Sequence, residues 1–395
     1  MSTSYSDIFS ILKYSLFALN SNNITISKNA NWNYIFNEMQ AHSIAAIAAP
    51  WIKEHPLPDP ELQQIWMTFC LQQQARWIRV IHAQTQLINL LEQHNIPCVV
   101  IKGTSAMIAY PQPSLRAAGD IDILVKRADY EKAAIILENN EYSLEHDKKA
   151  TDYHYCYQKN DISFELHKRL ATITEDEELA LTIFENGIDN REWHTIGNSR
   201  FPCLPTDLNG LVLLLHIKQH LKSGLGLRQV IDWMMYLYKN NNFNDIIPLI
   251  RTMGLERLAN TVTVMCQKYL GLYDTINESE DYPYDELMEY IINNGNFGIK
   301  KQENEENRIA YVSQATRNPI NLFVRLQLGG LSRWKATKEH KALRPFAWLY
   351  QIVFILRELI KNKITPQQFI NSQRRGLKQR QLINNLISEA DKNPD

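Results

Sequence analysis

Residues 98–125 read CVVIKGTSAMIAYPQPSLRAAGDIDILV, and this stretch decides the fold. Its two ends, Cys98–Ile101 and Ile121–Val125, are short apolar runs rich in β-branched residues, which is typical of buried strands. Between them lie a glycine turn, a helical pattern of apolar residues at Ala106–Tyr110 and a loop marked by two prolines. The stretch therefore predicts a strand, a helix, a loop and a second strand in succession.

The chain before this stretch is helical by pattern. Apolar residues three and four apart predict helices at Tyr5–Leu19, Trp32–Glu54 and Pro60–His94. The last helix is expected to stop there because Pro97 lies just beyond it.

The chain that follows the second strand alternates between helical and extended patterns. An amphipathic helix is predicted at Asp129–Asn139, with Asp129 as its N-terminal cap. Strands are predicted at Tyr142–His146, Tyr153–Gln158 and Ile162–His167. A tight hairpin turn at Asn160–Asp161 is expected to join the last two strands.

The chain is helical by pattern again after Pro205, and Asn293–Asn307 reads as a surface loop. The helices predicted here are Asp207–Leu221, Leu227–Lys239, Phe243–Leu270, Tyr284–Asn293, Arg344–Lys361 and Pro366–Ala390.

These patterns together predict an α+β fold, with a small mixed-sheet core between N-terminal and C-terminal helical regions. We expect three parts: a helical region at residues 1–95, the core at residues 96–204 and a helical domain at residues 205–395.

The composition bounds the class of protein. The chain has 395 residues, of which 45% are hydrophobic and 22% are charged, as in ordinary globular proteins. The net charge of -1 gives no overall attraction to nucleic acids or anionic membranes, so nucleic acid is possible as a partner but not favoured. Five cysteines without a CxxC pair argue against a disulfide framework and favour a reducing compartment.

No targeting or membrane segment is predicted. The N-terminus lacks a basic region ahead of its apolar stretch. The apolar run Trp348–Leu356 is shorter than the roughly 20 residues that cross a bilayer. We therefore expect a cytoplasmic protein without a membrane span.

The turn after the first strand has the features of a phosphate loop. Gly103 lets the backbone approach an anion closely, and the N–H groups at the start of the next helix have no helical partner. Thr104 and Ser105 add hydroxyl donors, and Lys102 adds a positive charge. A glycine turn of this kind often has no ligand. Its interpretation as a phosphate loop therefore depends on the motifs that follow it in the sequence.

Asp120 and Asp122 are two residues apart on the second strand, so their side chains are expected to project from the same face. Two carboxylates on one face repel each other, and a divalent cation removes that repulsion. Mg²⁺ takes hard oxygen ligands and commonly joins carboxylates to substrate phosphates. The pair therefore indicates a metal site, although a solvated strand edge is the alternative.

A third carboxylate, Glu165, lies on a later strand after enough chain to return beside Asp122. There it could complete the metal site or accept a proton from an attacking hydroxyl. His167 shares its face and is interpreted as either functional or structural.

The order of phosphate loop, DxD strand and acidic strand resembles the DNA polymerase β-like nucleotidyltransferase superfamily. More narrowly, the chain is similar to a bacterial family of uncharacterised nucleotidyltransferases over roughly residues 80–300. The motifs that carry this resemblance are Lys102-Gly103, Arg116, Gly119–Asp122, Glu165–His167, His216–Trp233 and Phe297-Gly298. One departure is that Thr104 follows Gly103 and the serine comes one place later.

The resemblance implies transfer of a nucleoside monophosphate from an NTP to an acceptor hydroxyl or phosphate, with release of pyrophosphate. It implies Mg²⁺ or Mn²⁺ held by Asp120, Asp122 and Glu165. Phosphate would be bound by the loop with Lys102, and Arg116 would clamp a phosphate oxygen or serve as an ordinary loop residue.

The helical segment after residue 206 holds further candidates. Gly224 and Gly226 break it, and a turn there could aim Arg228 at the nucleotide, together with Lys218 and Asp232. The pair His216 and His220 shares a helix face, but a zinc site needs more ligands. Two packed helices with solvated polar faces are the alternative interpretation.

The acceptor is expected to be a small molecule, a sugar phosphate or a peptide. A second hypothesis is a toxin-like transferase that modifies tRNA or protein, for which a C-terminal basic cluster would matter. That cluster consists of Arg374, Arg375, Lys378 and Arg380. A third hypothesis is a nucleotide-binding protein without catalysis.

Overall fold

The computed structural model describes residues 3–17, 24–145, 153–170, 177–241, 243–277, 281–300, 322–361 and 366–388. The chain divides into two compact units. One comprises Met1–Phe297 with Asn385–Asp395, and the other comprises Gly298–Asn384.

Seven strands of the first unit form one mixed sheet in the order β3-β4-β5-β2-β1-β7-β6. They are β1 (Cys98–Ile101), β2 (Ile121–Val125), β3 (Ser143–Leu144), β4 (His154–Lys159), β5 (Ile162–His167), β6 (Glu192–Ile196) and β7 (Ser199–Cys203). β2 pairs in parallel with β5, and β1 pairs in parallel with β7. The other neighbours are antiparallel. The predicted α+β class with a mixed-sheet core is confirmed.

Twelve of the described helices belong to the first unit. They are α1 (Thr3–Phe17), α2 (Trp32–Ala41), α3 (Ala49–Glu54), α4 (Pro60–Gln93), α5 (Gly103–Met107), α6 (Tyr130–Asn139), α7 (Glu177–Asp189), α8 (Thr206–Ser223), α9 (Leu227–Asn240), α10 (Phe243–Thr252), α11 (Glu256–Met265) and α12 (Tyr284–Asn294).

The second unit contains α13 (Leu322–Arg333), α14 (Ala336–Glu339), α15 (Ala347–Lys361) and most of α16 (Pro366–Ser388). α13 and α15 pack closely because α13 has glycines at the contact. A Cβ atom added to Gly330 would lie 1.8 Å from the carbonyl oxygen of Ala347. The predicted division into residues 1–95, 96–204 and 205–395 concerns independent domains and stays a prediction.

Two predicted helices are interrupted, and those predictions were wrong in extent. The helix expected at Trp32–Glu54 ends at Ala41 and resumes at Ala49 through a short 3₁₀ turn. Ser43 has a φ of 57°, which a right-handed helix cannot contain. The helix expected at Phe243–Leu270 is likewise divided at Gly254, where φ is 61°.

Other local predictions fared differently. The hairpin turn at Asn160–Asp161 is confirmed, since both residues have the positive φ of a two-residue hairpin. Asp129 occupies the N-cap position of α6, as expected, but it also ends a 3₁₀ turn and its side chain makes no capping hydrogen bond. The strand expected at Tyr142–His146 is reduced to β3, and His146 lies outside the described residues.

Three further predicted segments extend past the described residues. Residues 18 and 19 of the first predicted helix, residues 301–307 of the predicted surface loop and residues 389–390 of the last predicted helix lie outside them. Asn293 and Asn294, expected in the loop, are the last residues of α12.

The two faces of the sheet differ in character. On one face, alternate residues of β1, β2 and β5 join an apolar core with α4 and α6, through residues such as Val100, Ile123 and Phe164. The opposite face receives the intervening residues, which include Asp122 and Glu165, because successive side chains point to opposite sides. The polar face is therefore held in place by a packed apolar one.

α8 and α9 pack directly against each other. Their contact depends on Gly210, since a Cβ atom there would lie 2.3 Å from the ring of Tyr236, which is buried. Among the described helices, none combines the length and the apolar character needed to cross a membrane.

We predict that Gly210→Ala lowers the free energy of unfolding by about 1–3 kcal/mol, because the added methyl group forces Tyr236 from its place in a packed interior. Urea unfolding measures this change. Gly376→Ala is the matched control, since nothing lies within 4 Å of its added Cβ. Equal stability of both variants would contradict the predicted contact.

Candidate active site

The three predicted carboxylates meet on the polar face of the sheet. Asp122 and Glu165 are direct partners in the parallel pairing of β2 with β5, and Asp120 precedes β2 on the same side. One oxygen atom of each lies within 4.8 Å of the others. Asp122 and Glu165 are far apart in the sequence, but the pairing of their strands makes them neighbours in space.

The loop that carries Asp120 is tied to the long helix α4. The Nε atom of Arg76 donates to the carbonyl oxygen of Ala118 at 3.0 Å, and its Nη2 atom reaches that of Gly119 at 3.4 Å. These bonds hold the backbone just before Asp120, so the carboxylate has a fixed starting point.

Lys102 supplies positive charge to the carboxylates. Its Nζ atom lies 2.9 Å from Oδ1 of Asp122 and 3.9 Å from Oε2 of Glu165. Burial alone would lower the pKa of Lys102, but the charges of Asp122 and Glu165 raise it, so the ammonium stays ionised. The backbone of Lys102 has a φ of 52°, an uncommon conformation for a non-glycine residue that aims the side chain into the site.

His167 is the second positive group at the carboxylates and is almost completely buried. Its Nε2 atom lies 3.0 Å from Oδ1 of Asp122 and 3.1 Å from Oε2 of Glu165. Burial and the charge of Lys102 oppose protonation, but the hydrogen bonds to the two carboxylates raise the pKa of the imidazole. A protonated Nε2 donates to both.

The carboxylates differ in their electrostatics. The pKa of Asp120 is raised, mainly by the negative charge of Asp122. Burial acts to raise the pKa of Glu165, but the hydrogen bond and charge of His167 outweigh it and lower the pKa to about 2. Asp120 is also the exposed member of the three, so it is the carboxylate most open to solvent.

The turn at Gly103 begins α5, as expected, but one of its two hydroxyls bonds within the turn. Thr104 and Ser105 are buried. The Ser105 hydroxyl donates to the carbonyl oxygen of Lys102 at 2.7 Å.

Arg116 is bound by a carboxylate of α9. Its Nη2 atom lies 2.6 Å from Oδ2 of Asp232, and its Nε atom lies 3.1 Å from Oδ1. The hydroxyl of Tyr110 donates to the same Oδ1 at 2.7 Å. Arg116 and Asp232 are almost fully buried, so this pair joins the loop before β2 to α9.

Arg228, one turn earlier on α9, has a different environment. It is about nine-tenths buried, and its Nε atom has no hydrogen-bond partner in the described chain. Burial and the charge of Arg116 lower its pKa to about 10. Its own charge acts to lower the pKa of Asp120, so the guanidinium lies near the carboxylates without being paired to one of them.

A histidine pair and an aromatic ring border Arg228. The Nε2 atoms of His216 and His220 are 2.9 Å apart, and burial lowers the pKa of both, that of His220 to about 4. The ring of Phe297 packs edge-on against His220 and lies 5.8 Å below the guanidinium carbon of Arg228. Phe297 is 55% exposed, which is unusual for a ring in such contacts.

The N-terminal helical region holds the turn that carries Arg228. The Nδ1 atom of buried His42 accepts a hydrogen bond from the backbone N–H of Leu227. Asn296 receives a bond from Gln229 at 2.8 Å and donates to the hydroxyl of Ser43 at 2.9 Å. A Cβ atom on Gly226 would lie 2.8 Å from Asn296, so only glycine fits there.

The structure thus brings Asp120, Asp122, Glu165 and Lys102 together, with Arg228 close by. Arg116 and Asp232 lie beside them but bind each other. His154 and Cys156 were missed by the sequence analysis, although they alternate on β4 and the hairpin turn at Asn160–Asp161 places His154 opposite His167.

Residues 28–271 match a family described as uncharacterised nucleotidyltransferases. The chain belongs to this family. The matched part includes the carboxylates, the Lys102 turn and α9, and it ends before Phe297. Membership places the chain among the nucleotidyltransferases.

Solved structures add distant likenesses, among them one to a nucleotidyltransferase-like protein. An antigenic nucleotidyltransferase-like protein from Paracoccidioides brasiliensis shares 10% sequence identity with this nucleotidyltransferase family member, with a TM-score of 0.28. The alignment covers 49% of this chain and 92% of that one. No curated protein matches the sequence.

We predict that Asp232→Asn lowers the free energy of unfolding by about 3–5 kcal/mol, because it leaves the Arg116 charge buried without its counter-charge. Chemical denaturation measures the loss. Glu256→Gln is the matched control: it breaks the ion pair of Glu256 with Arg251, which is exposed to solvent, and should leave stability unchanged. A similar small effect of both substitutions would contradict the structural role of Asp232.

Proposed function

We propose that this chain transfers a nucleoside monophosphate from an NTP to an acceptor hydroxyl or phosphate and releases pyrophosphate. The observation that carries the proposal is the meeting of three carboxylates, Asp120, Asp122 and Glu165, on adjacent strands in a chain of a nucleotidyltransferase family. Reaction class EC 2.7.7 follows from this proposal.

The donor set fits Mg²⁺ or Mn²⁺. All three ligand atoms are carboxylate oxygens, which these hard cations prefer, and they lie within 4.8 Å of one another. Exposed Asp120 leaves the site open on the side where substrate phosphates would add their own oxygens. A divalent cation bound there supplies Lewis acidity for the phosphoryl group and lowers the pKa of an attacking hydroxyl.

Lys102 and Arg228 are proposed to bind the triphosphate. Lys102 is paired with Asp122 and Glu165, and cation binding to these carboxylates would release its ammonium toward a phosphate. Arg228 has a buried guanidinium without a carboxylate partner in the described residues, which makes a phosphate an attractive ligand. The backbone N–H groups of Gly103, Thr104 and Ser105 are proposed to donate further hydrogen bonds to the phosphate oxygens.

Arg116 was predicted as a phosphate clamp, and its contacts support a different use. Because Asp232 binds its guanidinium at two points, Arg116 is better suited to fix α9 beside the sheet. We propose that it acts through Arg228, which α9 carries.

Two residues offer a proton acceptor for the attacking hydroxyl. Glu165 is ionised over most of the pH range, since its pKa is about 2, which makes it a weak base but a persistent metal ligand. Asp120 has a raised pKa and is exposed, so it is the better candidate to take the proton. The acceptor itself is proposed to be a small molecule, a sugar phosphate or a peptide.

We predict that Asp122→Asn abolishes transfer of label from α-³²P-labelled NTPs to components of a cell extract, because the metal site loses a ligand. Removal of divalent cations with EDTA should have the same effect, and Mg²⁺ or Mn²⁺ should restore activity to the wild-type protein alone. Thin-layer chromatography and gel autoradiography detect the labelled product, and a pyrophosphatase-coupled phosphate assay measures the released pyrophosphate, which carries no label.

Asp285→Asn is the control, since Asp285 is an exposed carboxylate of α12. Label transfer that persists in the Asp122→Asn protein would overturn the proposal. NTP binding with the same affinity in the presence of metal, but no transfer to any acceptor fraction, would favour a non-catalytic nucleotide-binding protein.

Phe297 is proposed to stack on the base of the NTP. Its ring is exposed beside Arg228, and its backbone is fixed with a φ of 54° by a hydrogen bond from its N–H to the carbonyl oxygen of Gly224. An exposed ring that is held in place beside Arg228, the proposed ligand of the triphosphate, is suited to stack on the nucleotide base.

We predict that Phe297→Ala raises KM for the NTP by about 5- to 150-fold, the equivalent of about 1–3 kcal/mol of stacking, while kcat changes little. Steady-state kinetics separate the two parameters. Phe297→Tyr should retain the wild-type KM. Trp193→Ala is the control, because Trp193 is an exposed aromatic residue on the edge strand β6. An unchanged KM in Phe297→Ala would remove Phe297 from the nucleotide site.

A further inference from the structure

A second group of metal-ligating side chains lies on the polar face of the sheet, next to the carboxylates. His154 and Cys156 of β4 are two residues apart, as are Glu165 and His167 of β5. The antiparallel register pairs His154 with His167 and Cys156 with Glu165. Because alternate side chains of a strand share a face, all four project to the same side.

The ligand atoms of this group are close together. The Nε2 atom of His167 lies 3.1 Å from Oε2 of Glu165, and that of His154 lies 3.9 Å from Oε1 of the same carboxylate. The Sγ atom of Cys156 lies 3.1 Å from Nε2 of His154. One atom each of His154, Glu165 and His167 lies within 4.8 Å of the others.

These spacings suit a tetrahedral metal ion. With Zn–N bonds of about 2.0–2.1 Å and a Zn–S bond of about 2.3 Å, neighbouring ligand atoms are roughly 3.3–3.6 Å apart. The separations of 3.1 and 3.9 Å between the imidazole nitrogens and the Glu165 oxygens lie on either side of that range. The Cys156 thiol, which lies 3.1 Å from His154, would turn toward the other two ligands to complete the set.

The kinds of donor differ from those of the oxygen site. Two imidazole nitrogens, one thiol sulfur and one carboxylate form a set that favours borderline-soft ions such as Zn²⁺ and Co²⁺, and disfavours Mg²⁺. We propose that His154, Cys156, Glu165 and His167 bind a Zn²⁺-class divalent ion, in a site distinct from the oxygen site of Asp120 and Asp122 but sharing Glu165 with it.

A purely electrostatic role for the histidines explains less of the arrangement. His167 does act as a counter-charge to the carboxylates when it is protonated. His154, in contrast, lies opposite His167 in the strand pair and is buried as well. Two buried histidines are thus placed side by side, where one alone would balance Glu165.

Binding would exchange protons for the metal ion. Nε2 of His167 would lose its proton to solvent, and so would the thiol of Cys156, whose pKa burial raises to about 11. A thiol bound to a divalent transition metal ion is deprotonated.

Cobalt absorption tests the proposal directly. The full chain, stripped of metal with EDTA and supplied with excess Mg²⁺ to fill the oxygen site, is titrated with CoCl₂. We expect the intense visible bands of four-coordinate Co²⁺, a near-ultraviolet thiolate-to-cobalt band, and loss of both when Zn²⁺ is added. Only the weak bands of six-coordinate Co²⁺ would overturn the proposal.

Three variants assign the ligands. His154→Gln should weaken Co²⁺ binding at least about tenfold. Losing a residue that only orients a metal ligand already costs about that much affinity, and losing a ligand itself should cost no less. Cys156→Ser should lose the near-ultraviolet band. Asp120→Asn should keep the whole spectrum, because it alters the oxygen site alone. Circular dichroism of the metal-free proteins checks that each variant is folded.

The proposal stands beside the proposed function, and the two can fail separately. A four-coordinate spectrum in a protein that transfers no nucleotide would keep this metal site and remove the transferase. Mg²⁺-dependent transfer together with an unchanged Co²⁺ spectrum in His154→Gln would keep the transferase and overturn this metal site.

Discussion

Parallel pairing of β2 with β5 places Asp122 beside Glu165, and two carboxylates held at that distance repel each other unless positive charge lies between them. Lys102 and His167 provide that charge, each in contact with both carboxylates. The surroundings are mostly buried, so the attraction and the repulsion are both stronger than in water. Lys102 and His167 thus each bring a cation to where the backbone has fixed two anions.

A second ion pair connects this charge balance to the helices. Arg116 and Asp232 join the loop before β2 to α9, and α9 in turn carries Arg228 toward the carboxylates. Arg116 is close enough to Arg228 for its charge to lower the pKa of Arg228. Asp232 neutralises Arg116 and leaves the neighbouring Arg228 available. The sheet and α9 thus contribute opposite charges to one site, and the buried pair between them sets their distance.

Local patterns predicted the centre of this arrangement and little of its periphery. β1, β2 and β5 were predictable because they are apolar or strictly alternating, and the spacing of Asp120 and Asp122 follows from strand geometry alone. β6 was not, since most of its residues are exposed and only Ile196 is buried, so no regular apolar alternation marks it as a strand. The partner of Arg116 was also beyond reach, because a contact across more than a hundred residues leaves no trace in spacing. The interruption at Ser43 depends on one backbone dihedral angle, and the spacing of apolar residues carries no information about that angle.

The bonds of His42 to Leu227 and of Ser43 to Asn296 have a consequence for how such a protein can be divided. They connect the N-terminal helical region to the turn before Arg228, although these two segments are far apart in the sequence. The sheet is therefore not a portable module, and grafting it onto other helices would carry the acidic residues but lose their cationic counterpart. Recombination within the first unit is constrained in the same way, so exchangeable parts are expected at its borders, where the second unit, Gly298–Asn384, is inserted.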